Sequence, residues 1–352
     1  MLYKKPYCAV LIVPTGVGAS IGGYAGDALP VARAMGEVCD RLITHPNVMN
    51  GASLYWAKEN IDYVEGYALD KFAGGEWGLK SVHQNKIGVI FDQNIEPELY
   101  YRHLQAMDGL RATVGVNVRD YIVTDAPLNV QLRIADSGAS WGTIGNPDSL
   151  LRAGQKLVAQ GISAIAVVAR FPDDSDSQAL NDYRHGSGVD ALAGAEAVIS
   201  HLLVREFQIP CAHAPALSPL PLDTNISPRA AAEELGYTFL PCVLVGLNKA
   251  PQFTQDRNSH SLWADDIDAL IIPHHACGGS ATLSFAHSHT KIIVVEDNET
   301  IIKVPPEPLA IKPIRVKSYL EAIGVMVAHK AGIHFQGLTS DTAHNWCYIE
   351  SL

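Results

Sequence analysis

The strongest constraint on the fold lies near the start of the chain, where the apolar run 9–13 opens into Pro14-Thr15-Gly16-Val17-Gly18-Ala19-Ser20-Ile21-Gly22-Gly23-Tyr24-Ala25-Gly26-Asp27 and then into residues 28–35. A buried strand, a glycine-rich loop and a helix in that order build a site for an anion. Glycines allow close backbone approach, and the free N–H groups of a helix start favour phosphate or carboxylate. Thr15, Gly16, Gly18, Ser20, Gly22, Gly23 and Asp27 are therefore candidate ligand-binding residues. The spacing disfavours NAD. Ile21 stands where G-x-G-x-x-G wants its third glycine, and Thr44-His45-Pro46-Asn47 stands where an acidic residue would meet a ribose. No Gly-Lys-Ser/Thr follows, so the loop is not a P-loop. The same glycines would also serve tight turns and close helix packing.

Further along, segments 41–44, 87–91, 162–168, 269–272 and 292–295 read as strands, and 130–134 alternates as a half-exposed strand does. Segments 96–110, 149–160, 190–205, 280–287 and 318–329 read as helices, the second with Asn146 as N-cap and Pro147 at its first position. Residues 170–188 read as a polar loop, and Pro215, Pro219, Pro221 and Pro228 mark a rigid connector. Strands alternating with helices imply an α/β protein with mainly parallel sheets and flanking helices. The expected organisation is two or three lobes around a cleft, with segments 1–125, 126–240 and 241–352 as α/β units.

The 352 residues carry 26 Lys and Arg against 37 Asp and Glu, a formal charge of −11. This argues against a nucleic-acid footprint, which concentrates basic charge. Six cysteines without a C-x-x-C pair read as reduced and intracellular, and a cytoplasmic location is expected. No apolar run reaches the ~20 residues that span a bilayer, so no membrane partner is expected. The sequence names no cofactor and leaves a homo-oligomer open.

Four further groups can carry chemistry. Arg170 and Arg184 offer forks for a carboxylate or phosphate, and Asp173, Asp174 or His185 beside them can move protons. The bland reading is a solvated loop with surface ion pairs. Glu196 and Ser200 share a helix face, whereas Glu196 and His201 diverge by roughly 140° at about 100° per residue. His201 and His213 are either acid/base candidates with Glu196 or satisfied core histidines. In His274-His275-Ala276-Cys277-Gly278-Gly279-Ser280, residues Gly278, Gly279 and Ser280 form a second cradle, and Cys277 is a candidate nucleophile because a helix start lowers thiol pKa. The nearby His287 and His289 match no standard zinc spacing, so no metal ligands are assigned. Glu296 ends a strand that would face the same crevice.

These strings carry a resemblance. Residues 13–19, 22–33 and 44–48, with Ala166–Asp174, Gly194–His201 and Cys211–Leu217, are similar to a family of cyanobacteria and plastids catalogued as a domain of unknown function, over nearly the whole length. The resemblance implies kinship and no activity. A more distant similarity is to ring-opening amidohydrolases of the cyanuric acid hydrolase type, through the small-residue loops at Ser20, Ser140 and Ser280. The chain has no lysine between Lys86 and Lys156 to serve the middle serine.

The expected function is that of a small-molecule enzyme binding an anionic or nucleotide-like metabolite, with acid/base residues at the site. A metal-assisted or serine-type hydrolase and a non-catalytic metabolite sensor are the alternatives, and hydrolase is the leading enzyme class.

Overall fold

The strand at Cys8–Leu11 is buried on both faces, so it needs helices on both sides, and the fold supplies them. The computed structural model describes residues 5–50, 58–173, 177–234, 239–257 and 260–340. In chain order these form β1 (Cys8–Leu11), α1 (Leu29–Val38), β2 (Arg41–Thr44), α2 (Pro46–Met49), β3 (Ile61–Tyr63), α3 (Gly66–Ala73), β4 (Gly78–Lys80), β5 (Ile87–Phe91) and α4 (Pro97–Thr113). Next come β6 (Val118–Val123), β7 (Val130–Ile134), β8 (Ser140–Ile144), α5 (Pro147–Ala159), β9 (Ala164–Arg170), α6 (Gln178–Arg184), α7 (Ala193–Phe207), β10 (Cys211–Ala216) and α8 (Pro228–Glu234). The remainder is α9 (Leu240–Asn248), β11 (Gln252–Thr254), β12 (Ser261–Leu262), β13 (Ile267–Pro273), α10 (Ser280–Ala286), β14 (Lys291–Val295), β15 (Ile314–Val316) and α11 (Tyr319–Lys330).

Six strands make one sheet in the order β15-β14-β13-β1-β2-β3, every pair parallel. Four more make a second parallel sheet, β10-β9-β5-β6. The strands β4, β11 and β12 form a small antiparallel sheet, and β7 with β8 forms a hairpin. Alternation along each strand feeds two helix layers. Ala9, Leu11, Val89 and Phe91 pack with α1, α4, α9 and α11, while Val10, Ile90, Ile165 and Leu270 pack with α3, α5, α7 and α10. The fold is thus mixed α/β with mainly parallel sheets and flanking helices, as expected.

The first three strands and the last three share one sheet, and the second sheet draws β5 and β6 from before residue 125 and β9 and β10 from after it. The three sequential segments therefore do not each own a sheet. Ignoring everything between β3 and β13, the large sheet has the order 3-2-1-4-5-6, the doubly wound arrangement whose ligands sit where the strand order reverses. That reversal lies between β1 and β13.

Several local expectations change. The loop expected over 170–188 contains α6, which Ser177 caps by accepting from the Leu180 N–H; α6 buries no residue and so has no apolar stripe to reveal it. Pro215 lies inside β10, which is tolerated because β10 is an edge strand and loses no inward N–H. Asn146 does flank α5, but its side chain donates to the Pro127 carbonyl instead of capping the helix.

Candidate functional site

A cavity of about 900 Å³ opens at the carboxyl ends of the parallel strands. Ile12, Pro14 and Thr15 reach it from the end of β1, His45 from β2, Glu65 from β3 and Ile272 from β13. These elements place it at the reversal of strand order, where open α/β sheets bind ligands. Much of the wall is apolar, with Leu69, Leu180, Leu192, Phe239 and Val304 among its members, and a few polar groups converge on it.

The first polar group is a chain of three side chains. Glu196 and Ser200 stand one turn apart on α7, and both line the cavity. His213, on the neighbouring strand β10, contacts the Ser200 hydroxyl through Nδ1 and faces a Glu196 oxygen at 3.5 Å through Nε2. Ser200 is fully buried, and its hydroxyl also reaches the Glu196 carbonyl at 3.5 Å. A serine held in that way orients the imidazole and leaves Nε2 as the working nitrogen.

His201, the next residue along α7, turns to α3. Its Nε2 lies 2.8 Å from one oxygen of Glu65, whose other oxygen accepts the N–H groups of Tyr67 at 2.9 Å and Ala68 at 3.4 Å and so caps α3. Burial disfavours the His201 imidazolium, but the Glu65 hydrogen bond and charge, with Asp70 behind them, leave its pKa raised. Glycine at position 66 leaves room for this contact, since a Cβ there would lie 2.9 Å from Nε2 and the imidazole would have to shift.

Beyond Glu196 lie two more acids. Asp190 accepts from the Leu192 N–H at 2.9 Å at the start of α7; burial first, and the Glu196 charge second, push its pKa up to about 7. Glu233 accepts from the Ala25 N–H and from the Tyr183 hydroxyl at 2.8 Å. Burial and the neighbouring Asp190 hold its pKa well above the carboxylate range. Tyr183 stacks on Tyr24 with ring centres 4.4 Å apart. His45 closes the floor as a neutral imidazole: it accepts the Val13 N–H at 3.0 Å through Nε2, and burial lowers its pKa to about 4.

The structure therefore brings together Glu196, His201 and His213 and adds Glu65, Asp190 and Glu233. The helix-start positions of Glu65 and Asp190 were the available sequence signal for two of the added acids, because a carboxylate before a helix is a capping pattern. It does not assemble the expected glycine cradle. Thr15 lines the cavity, but Gly16, Gly18, Ser20, Gly22, Gly23 and Asp27 do not. Gly16, at φ +68°, packs on Ser140, and five of the loop's later N–H groups already have acceptors: Ser20 donates to the Glu299 carbonyl, Ile21 to Asn298, Gly22 and Tyr24 to Asp27, and Ala25 to Glu233. Asp27 is itself paired with Arg229. The second cradle is taken in part. Gly278 and Gly279 line the cavity, but the Ala281 N–H and the Ser280 hydroxyl are bonded to Asp70.

The remaining candidates are engaged elsewhere. Arg170 is half-buried between Glu96 and Asp173, with N–O distances of 2.8 and 2.9 Å, and holds Asp173 well below the usual carboxylate range, which makes Asp173 a poor base. Arg184 lines the cavity but is paired with Glu234 at 3.0 Å. His185 faces Asp223 at 3.1 Å, outside the cavity wall. Glu296 lies off the wall, 3.9 Å from Arg315. Cys277 is fully buried, donates to the His274 carbonyl, and has its thiol pushed up to about 11 by burial, the opposite of the lowering expected from a helix start. Ser20, Ser140 and Ser280 do not meet at the cavity. Asp174 lies outside the described residues. Among the described residues no group of three or more His, Cys, Asp or Glu is placed to hold a metal ion, and no helix is long and apolar enough to cross a membrane.

Fold and cavity define an α/β protein with a carboxylate- and histidine-lined pocket at a strand-order reversal. The chain belongs to the family described as protein of unknown function (DUF3326), which matches residues 8–339. It is 57% identical over 327 residues to a Synechococcus sp. protein named an uncharacterized lipoprotein, covering 92% of this chain and 91% of that one. The kinship expected from the sequence, with a cyanobacterial family of unknown function over nearly the whole chain, is thus shown. No solved structure matches the chain.

Proposed function

We propose that the protein is an enzyme that moves protons on a small metabolite held in this cavity. The observation that carries this reading is the Ser200–His213–Glu196 chain on the cavity wall, with Asp190 held near neutrality beside it. A proton donor or acceptor works best when its pKa lies near the working pH. In this reading His213 Nε2 takes a proton from the substrate, Glu196 stabilises the imidazolium, and Asp190 supplies or receives the compensating proton. The apolar wall excludes water and strengthens each of these interactions.

The Ser200–His213 contact also favours a second reading, a serine-type hydrolase with Ser200 as nucleophile. Its weakness is access, because the hydroxyl is fully buried and shared with the Glu196 carbonyl.

The test is to incubate the protein and its His213→Gln variant with a small-molecule cell extract and follow both by mass spectrometry. A metabolite consumed by the first and spared by the second is the expected result. A metabolite that both retain and neither converts would replace the enzyme with a sensor.

A further inference from the structure

We propose that the ligand of this cavity is a cation, a protonated amine or amidine on an apolar body. This names the ligand class of the function proposed above and reverses the charge expected from the glycine loops.

Three observations support it. The first is the charge of the wall. Glu65, Asp70 and Glu196 line the cavity, beside Asp190 and Glu233, whose burial favours the neutral acid; among its described residues Arg184 is the only lysine or arginine, already tied to Glu234. His45 adds no charge, since its Nε2 is an acceptor. An anion entering here would find no free cation and a field of like sign. A cation would be drawn to the carboxylates, and the low polarity of the surroundings strengthens that attraction.

The second is the fate of the backbone donors. Several N–H groups of the turns that read as anion cradles are taken by side chains of the chain itself: by Asp27 and Glu233 on the first loop and by Asp70 on the second.

The third observation is independent of the acids. Thr282 of α10 lines the cavity, is only 1% exposed, and its hydroxyl oxygen has no hydrogen-bond partner. A buried hydroxyl without a partner is costly and calls for an occupant. It follows Ala281, whose N–H binds Asp70, so an ammonium group near Asp70 would find in Thr282 a neutral oxygen to accept one of its protons.

The experiment is isothermal titration calorimetry on the full chain at pH 7 with hexylammonium, hexan-1-ol and hexanoate, which share one apolar body. Hexylammonium is expected to bind about tenfold or more tightly than the alcohol, with no hexanoate binding, and Thr282→Val should weaken the amine several-fold while the fold stays intact by thermal melting. Hexanoate binding as tight as hexylammonium, or no hexylammonium binding at millimolar concentration, overturns the proposal. An unchanged amine affinity in Thr282→Val removes Thr282 from it. Amine binding without turnover of any metabolite retires the catalytic reading alone, whereas turnover of an anionic metabolite retires this one alone.

Discussion

His201 and Glu65 meet at 2.8 Å across the packed helices α7 and α3, and the contact exists because residue 66 has no side chain. Gly66→Ala is expected to push the imidazole away and leave burial as the main influence on it. His201 then titrates below 6.5 instead of above it. In the native protein this pair adds stability below pH 6.5 that is lost as pH rises through the raised pKa; the effect is small because the side chain is 45% exposed. NMR titration of the His201 ring reads the sign directly, and a value still above 6.5 in the variant would contradict the account.

Ser200→Ala separates orientation from nucleophilic attack. If Ser200 only orients His213, the variant loses about tenfold in turnover, while His213→Gln loses about a hundredfold or more. Loss in Ser200→Ala as deep as in His213→Gln, with a covalent adduct on Ser200 in the native protein by mass spectrometry, would establish the hydrolase instead.

His45 makes the fold acid-sensitive. Its pKa is about 4 in the folded chain against an ordinary 6.5, so its contribution is present in full above pH 6.5 and lost as pH falls toward 4. The loss reaches about 3 kcal/mol. Asp190 and Glu233 slope the other way, since their raised values stabilise the fold as pH falls. Urea melts of native protein and His45→Gln across pH 4–8 isolate the histidine, because the carboxylate slopes cancel in the difference. A difference that does not change with pH would show that His45 is not buried as a neutral base.

Arg170 is structural by its contacts. Arg170→Met leaves Asp173 and Glu96 without their cation, and its expected cost is about 2 kcal/mol, below that of a fully buried pair because both carboxylates are partly exposed. Hexylammonium affinity should be retained or rise, because Asp173 lines the cavity and loses its cation. Chemical denaturation and calorimetry on the same sample check both halves of the prediction.

The strand skeleton was largely legible. Residues 41–44, 87–91 and 130–134 are strands at the expected limits, because unbroken or strictly alternating apolar runs leave little freedom. What hid was of three kinds. The helix α6 has no buried face, and β10 carries a proline that only its edge position permits. The site itself depends on partners far apart in sequence, such as Glu65 with His201, and no local pattern encodes such a meeting. The glycine loop misled for a related reason. Some of its donors do meet a carboxyl group, but one of the chain's own, on Asp27 or Glu233.

The junction of β1 with β13 carries a consequence for how the chain is made. Ala9 to Leu11 pair with Ala269 to Ile271, so one edge of β1 waits through synthesis of the 260 residues that separate Ala9 from Ala269. At ribosomal speeds that interval is on the order of tens of seconds. During it the nascent chain presents an unpaired, wholly apolar edge at the very position that later floors the cavity. Completion of the binding site thereby waits on synthesis of β13, and a chain truncated before residue 267 would lack part of the cavity wall as well as a strand.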